Sequence, residues 1–278
     1  EFGKKFGVPI HVRSSFTDIP GSMIVAVGEA PNQAVCGATL VKNEARITVL
    51  GVPDRPGASL AIFSKIAAKN ITVDMIVQNV AADGRADISF TVVRDELTTT
   101  LRAVDEAIRE LGAEGVTSDE NVAKVSVVGH GMASQVGVAE KMFRSLADAG
   151  INIQMITTSE IKISVLVSRE QGPQALRTVH QAFELHKAPP PAAGATAAAG
   201  KATSEPRPSA AADVVARLQG VQGMEDLTID DVRLDDTQAR VTISGVPDAP
   251  GSAAQVFERV AADGVFVDMI VQSFGRGG

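Results

Sequence analysis

Apolar positions along the chain fall into three blocks that repeat one plan. In the first, an alternating run at 47–50 ends at Gly51, and Ile62, Phe63, Ile66 and Ala67 then recur at helical spacing. Residues 72–80 and 87–93 read as strands, the second with Ile88, Phe90 and Val92 on one face; Asp83-Gly84 between them supplies the positive φ angles of a tight hairpin. Asp95 has the chemistry of an N-cap for a helix whose stripe is Leu97, Leu101, Val104, Ile108 and Leu111. The second block runs from a strand and Gly loop at 125–129 through a helix with Met142, Phe143, Leu146 and Ala147. Strands at 151–156 and 161–167 and a helix over about 171–185 follow. The third block opens at 241–245, continues through Val256, Phe257, Val260 and Ala261, and stops after one more strand at Gln272-Ser273.

Strand, helix, two-stranded hairpin, helix, strand is the split βαβ plan. The fold expected is therefore α+β: tandem ferredoxin-like βαββαβ units, antiparallel sheets with helices on one face. The second block lacks its closing strand, and Pro9-Ile10-His11-Val12 is a candidate to supply it. Residues 188–212 are Ala, Pro or Gly at 18 of 25 positions, a linker composition. The blocks are also copies in sequence. Residues 47–79 realign without a gap onto 241–273 with 16 identities; 125–159 is a weaker copy, in register at Gly129, Gly137, Phe143, Met155 and Ile156, with two extra residues in its Gly loop. Function is then to be sought in the repeated unit and in its interfaces.

Charge narrows the partners. A net charge of −7 offers no polybasic face to nucleic acid, whose affinity for proteins comes largely from clustered Lys and Arg. No run approaches the roughly 18 apolar residues of a membrane span, and the first residues do not resemble a signal peptide. The single Cys36 excludes an intramolecular disulfide and a multi-thiolate metal site. A soluble, cytoplasmic protein is expected. The absence of a Met at residue 1 and the shortened third block are read as signs of a piece of a longer protein.

Catalytic signatures are scarce. His11, His130, His180 and His186 are scattered over predicted strand, loop and helix end without metal-ligand spacing, and no phosphate-binding or nucleophile-elbow motif occurs. The Gly-rich loops at 51–57 and 245–251 are more informative. Asp54 and Asp248 have the chemistry to cap the following helices, with Pro at the helix start and Gly for the turn. Amides at that helix N-terminus can instead bind a small carboxylate while Asp54 receives an ammonium group, and an amino acid carries both. Strict alternation places Asp74, Ile76 and Gln78 on one strand face and Val73, Met75 and Val77 on the other, which suits a ligand or partner sheet better than a dry core.

The segments Phe6-Gly-Val-Pro-Ile-His-Val-Arg-Ser-Ser15, Val52-Pro-Asp-Arg-Pro-Gly57, Asp74-Met-Ile-Val-Gln-Asn79, Asp87-Ile-Ser-Phe-Thr91 and Thr158-Ser-Glu-Ile-Lys-Ile-Ser164 together closely resemble the regulatory region of the aspartokinase family, over about residues 1–187. The resemblance implies that the units are ACT domains, small modules that bind amino acids. It implies a layout of 1–33 for the end of a kinase lobe and the strand completing the second unit, 34–118 and 119–187 for the first and second ACT units, 188–213 for the linker, and 214–278 for an incomplete third. The third resembles the extra units of family members with four, whose remainder would lie beyond Gly278. Family members transfer the ATP γ-phosphate to the aspartate β-carboxylate, opening the route to lysine, threonine and methionine, and their ACT units impose feedback inhibition by L-lysine, L-threonine or both. The kinase lobe is not in this sequence, so the chain is expected to be inactive alone and to hold no cofactor; ATP with Mg belongs to that lobe.

Carried over by position, the effector pocket implied in the first unit uses Asp54, Gly57, Ala58, Ser59, Thr72, Val73, Asp74 and Gln78. The second unit would contribute Val138, Ala139, Asn152, Ile153, Ser159 and Glu160. A homodimer through paired ACT sheets is implied as well. Departures from the family pattern are the second unit's loop at 132–137, where the family often has His-Pro before the Gly, and Ala249 and Ser273 in the third unit where the first has Arg55 and Asn79. Two other readings are a stand-alone regulatory or dimerisation subunit and the ACT tail of another enzyme of amino-acid biosynthesis.

Overall fold

A computed structural model describes residues 8–24, 34–81, 83–130, 132, 135–187 and 236–272. It divides into two compact bodies, residues 1–31 with 190–243, and residues 32–189 with 244–278. In the first body, β1 (Ile10–Val12) pairs antiparallel with β2 (Ser22–Ile24) as a two-stranded sheet whose residues are exposed.

The second body is built on a seven-stranded antiparallel sheet. Its strands are β3 (Gly37–Pro53), β4 (Val73–Val80), β5 (Arg85–Val93), β6 (Gly115–Val128), β7 (Met155–Ser159), β8 (Lys162–Ser168) and β9 (Val271–Gln272). They lie in the order β4-β5-β3-β6-β8-β7-β9. Five helices accompany them among the described residues: α1 (Ala58–Ala67), α2 (Leu97–Leu111), α3 (Val138–Asp148), α4 (Gly172–Ala182) and α5 (Ser252–Ala262). None of the described helices is long and apolar enough to cross a membrane.

Two long strands serve both units. Residues 44–53 of β3 pair with β5 and residues 44–50 with 115–122 of β6, while residues 37–41 pair with 124–128 of β6. The second unit's missing strand is therefore supplied by the first half of β3, not by Ile10–Val12, which pairs within its own hairpin. Register shifts between Val41 and Arg46 separate the two halves of β3, and such bulges let one strand serve two differently oriented ladders.

Each half buries its helices on one sheet face. Ile47, Val49, Ile88, Phe90 and Val92 meet Ile62 and Ile66 of α1 and Val104 and Ala107 of α2. Val125, Val127, Val165 and Val167 meet Met142, Phe143 and Leu146 of α3 and Ala175 and Val179 of α4. A fully buried side chain of this kind contributes about 1.5–3 kcal/mol, so these two stripes are what hold the helices down. The opposite faces of the two halves also touch. Met75 and Val77 form a small core with Met155 and Leu166, flanked by hydroxyl pairs Thr48–Ser89 at 2.9 Å and Ser126–Ser164 at 2.8 Å.

Two local expectations change. Asp95 does not cap α2: it sits inside a 3-10 turn (Arg94–Glu96), and its Oδ2 accepts from Asn43 Nδ2 at 3.2 Å. Residues 241–245 form no strand, and Val241 and Ile243 are 84% and 57% exposed. The equivalent segment of the first unit is held between β5 and β6, and the described residues of the third unit contain neither counterpart.

Candidate functional site

Three helices of the second body begin alike. Gly57, Gly137 and Gly251 precede α1, α3 and α5 with φ of 89°, 87° and 95°, and in each case no side chain caps the helix. Glycine reaches that left-handed region at no steric cost, so the turn is made by the Gly itself. The capping role expected of Asp54 and Asp248 is thus corrected, and both carboxylates are turned to other partners. Asp54 Oδ1 accepts from Gln78 Nε2 at 3.5 Å, and Gln78 Oε1 accepts from Ser59 Oγ at 3.1 Å. Asp248 Oδ1 accepts from Asn152 Nδ2 at 2.8 Å.

The first loop is held in place from below. Gly51 N donates to the buried Asp87 Oδ1 at 2.9 Å, and Gly51 O accepts from Arg85 Nη1 at 2.8 Å. Both residues come from β5, and both are missed by sequence reasoning, which sees in Asp87 only the start of an alternating run. A polar residue on a strand buried on both faces is the signal that could have found it.

Strand β4 departs from simple alternation. Met75 adopts a φ of 48°, and the pairing with β5 shifts register between Asp74 and Val77. The bulge turns Asp74 and Gln78 to opposite faces. Gln78 reaches the start of α1, whereas Asp74 Oδ2 accepts from Lys124 Nζ at 2.6 Å on the other face and its Oδ1 from Met75 N at 2.8 Å. Lys124 also donates to the buried Glu44. For Asp74 burial is the largest influence and opposes ionisation, but the bonds from Lys124 and Met75 N outweigh it and hold the carboxyl below its usual range. Burial likewise weighs most on Lys124 and would lower it, yet its bonds to Asp74 and Glu44 prevail and raise it. Asp74 is thereby an ion-pair partner of the shared strands and stands apart from the Gly-loop group.

In the first unit the structure brings together Asp54, Gly57, Ser59 and Gln78 at the start of α1. Ala58 is buried beneath them, Thr72 is exposed, and Val73 packs toward the helix-face core. The second-unit residues are not joined to this group. Val138, Ala139, Ser159 and Glu160 line a cleft of about 570 Å³, counted to its open mouth, whose other wall is α5 and residues 265–270. Asn152 and Ile153 line a smaller cleft of about 270 Å³ with Asp248, Gly251 and Ser252. Both clefts lie where the third unit packs on the second: Phe143 meets Phe257 edge to face at 5.3 Å, Arg144 Nη2 pairs with Glu258 Oε1 at 2.7 Å, and Ile270 N donates to Thr158 Oγ1 at 2.8 Å. Asp248 was legible from the repeat, since it aligns with Asp54.

Chemically, the first and third Gly loops each present a carboxylate, Asp54 and Asp248, beside first-turn amides of a helix, which an α-helix leaves without intrahelical acceptors. Ala58 N is taken by Arg55 O at 3.2 Å. A carboxylate acceptor, the Gln78 amide and helix-end amides together suit a small zwitterion.

Known proteins share this fold. The ACT domain family matches residues 46–112 and, in a second form, residues 125–183. An aspartate kinase of Stutzerimonas stutzeri (strain A1501) is 45% identical over 187 residues, 66% of this chain and 45% of that protein. An aspartokinase of Thermus thermophilus is 42% identical over 189 residues, covering 67% and 46%. The chain thus spans about half the length of the curated relatives it matches. Among solved structures, one of aspartokinase alpha and beta subunits shares 50% identity at a TM-score of 0.51, covering 54% of this chain and 99% of the other. The ligand-free regulatory subunit of Thermus thermophilus aspartate kinase shares 42% at 0.52, with the same coverage. The aspartate kinase of Synechocystis shares 28% at 0.65, covering 98% of this chain and 43% of the other. With a regulatory subunit matched almost end to end and two ACT domains in tandem, the chain belongs to the aspartokinase family and comprises its ACT regulatory region.

Proposed function

We propose that this chain is the amino-acid-sensing region of an aspartate kinase and conveys feedback inhibition by L-lysine, L-threonine or both. The catalytic reaction, phosphorylation of the L-aspartate β-carboxylate by ATP with Mg, belongs to a kinase lobe outside the half of the relatives' length that this chain spans; the ACT units join two chains as a homodimer in the cytoplasm. The observation that carries the reading is the group at the first Gly loop, where Asp54, Gln78 and Ser59 are hydrogen-bonded around the start of α1. Asp54 would receive the ligand ammonium, and the amides after Gly57 its carboxylate. Inhibition requires that the ligand favour one arrangement of the units over another, and a coupling of this type is typically worth about 1–3 kcal/mol.

Calorimetric titration with L-lysine and L-threonine, each alone and then together, tests the reading. Saturable heat that disappears in Asp54→Ala identifies the ligand and the first loop as its site; heat lost in Asp248→Ala instead moves the site to the second and third units. No heat from the folded chain refutes sensing by this region. A second reading, a separately made regulatory subunit, is favoured by the full-length match to the regulatory subunit of Thermus thermophilus.

A further inference from the structure

The chain leaves β3 for the first Gly loop through a bulge. In the β3–β5 ladder Val49 lies opposite Ile88 and Val52 opposite Ala86, so Leu50 and Gly51 face the single residue Asp87. Gly51 takes a φ of 61°, the left-handed glycine that such two-against-one bulges use. A bulge leaves backbone groups outside the ladder, and here side chains of β5 take them. Gly51 N donates to Asp87 Oδ1 at 2.9 Å, and Gly51 O accepts from Arg85 Nη1 at 2.8 Å. Asp87 is 6% exposed, and a bond to a carboxylate shielded from water is among the stronger hydrogen bonds of a protein. Arg85 Nη1 also lies 3.4 Å from Gly112 O at the end of α2, where a helix dipole favours a cation.

The other units hold their loops differently. In the second, a backbone carbonyl, that of Ile161, takes the N–H of Gly129 at 3.0 Å. In the third, Gly245 and Gly251 have φ of 70° and 95°, close to the 61° and 89° of Gly51 and Gly57, yet among the described residues no strand lies beside that loop. The shape of the loop is therefore intrinsic to Gly-Val-Pro-Asp-x-Pro-Gly, and what Asp87 and Arg85 add is its anchorage to the sheet. The anchorage reaches the candidate site because β5 lies between β3 and β4. Its ladder with β4 sets Gln78 opposite Ile88, and its Asp87 and Arg85 set the loop that carries Asp54. One strand thus fixes Asp54 and Gln78 relative to each other.

We propose that Asp87 and Arg85 are positioning residues of the first Gly-loop site: they act through the loop, setting Asp54 and the amides after Gly57 in place before an amino acid arrives. A loop already ordered in its bound conformation binds more tightly than one that must be ordered by the ligand. The inference rests on the amino-acid sensing proposed above and adds to it the residues that set the affinity of that site.

The experiment measures calorimetric Kd for L-lysine and L-threonine, and hydrogen exchange without ligand, in the wild-type chain, Asp87→Ala, Asp87→Asn, Arg85→Met and Ser164→Ala. Asp87→Ala and Arg85→Met should each raise Kd about tenfold, as expected for one lost hydrogen bond, and speed exchange at residues 52–59 while β6 and α3 stay protected. Asp87→Asn keeps an acceptor for Gly51 N and should bind close to wild type. Ser164→Ala removes a buried hydroxyl pair of the second unit and should lower stability without moving Kd. A loss of affinity that Ser164→Ala reproduces is an effect of stability alone and overturns the proposal, as does an Asp87→Asn variant as weak as Asp87→Ala. Wild-type binding that persists unchanged in Asp87→Ala and Arg85→Met overturns the positioning role and leaves sensing intact. No heat from the wild-type chain overturns sensing, and the positioning role with it.

Discussion

The first and second units share strand order and the Gly-loop start of their helices, yet they differ at the outer edge. Around β7 the second unit is closed: Ile156 is buried, and α5 lies on α3. Around β4 the first unit is open, with Leu60, Ile76 and Val80 exposed. The difference teaches that the same edge of a repeated unit can be closed by a neighbouring unit in one place and left open in another. The candidate residues follow the same divide: in the second unit they line clefts against a neighbour, and in the first Asp54, Ser59 and Gln78 are tied to one another.

Breaking the link between the two units should have the largest effect. Lys124 joins the shared strand β6 to Glu44 on β3 and Asp74 on β4. Lys124→Met strands the buried Glu44 carboxylate and should cost about 3–5 kcal/mol in chemical denaturation. A change below about 1 kcal/mol would show the ion pair to be incidental.

Undocking the third unit comes next. Ile270→Lys places a charge at a position 6% exposed and should weaken that contact by about 2 kcal/mol. Hydrogen exchange would then speed up in α5 while α1 stays protected, sharpening the contrast between the two edges.

The pH profile is expected to show a smaller effect from the same ion pair. Asp74 is held below its ordinary range in the fold, so its contribution is present above that range and is lost as pH falls through the lowered value. Lys124 is raised, so its contribution is present below the ordinary lysine range and is lost as pH rises through the raised value. Melting temperatures should fall at both extremes, and Asp74→Asn should flatten the acid limb. Removing one hydroxyl of a buried pair, as in Ser164→Ala, should cost about 1 kcal/mol.

Much of the fold was legible in the sequence. Helical stripes such as Ile62, Phe63 and Ile66 gave α1, and the Asp83-Gly84 turn gave the β4–β5 hairpin, because these signals are local and periodic. The strand completing the second unit was not legible. The polar triplet Lys42-Asn43-Glu44 interrupts the apolar pattern of β3, and nothing local reveals that both halves are paired. The candidate site was half legible. Asp54, Gly57, Ser59 and Gln78 come together as expected, whereas the bulge at Met75 turned Asp74 to the other face, a one-residue change that alternation cannot anticipate.

By itself the sequence determined the repeated unit, the Gly at the start of three helices and the apolar faces, since each depends on residues close in the chain. Only the tertiary structure decided which edge is covered, which strand completes which sheet and where Asp74 finds Lys124. These choices are made by contacts between residues tens of positions apart, and the periodicity of a chain carries no record of its distant partners.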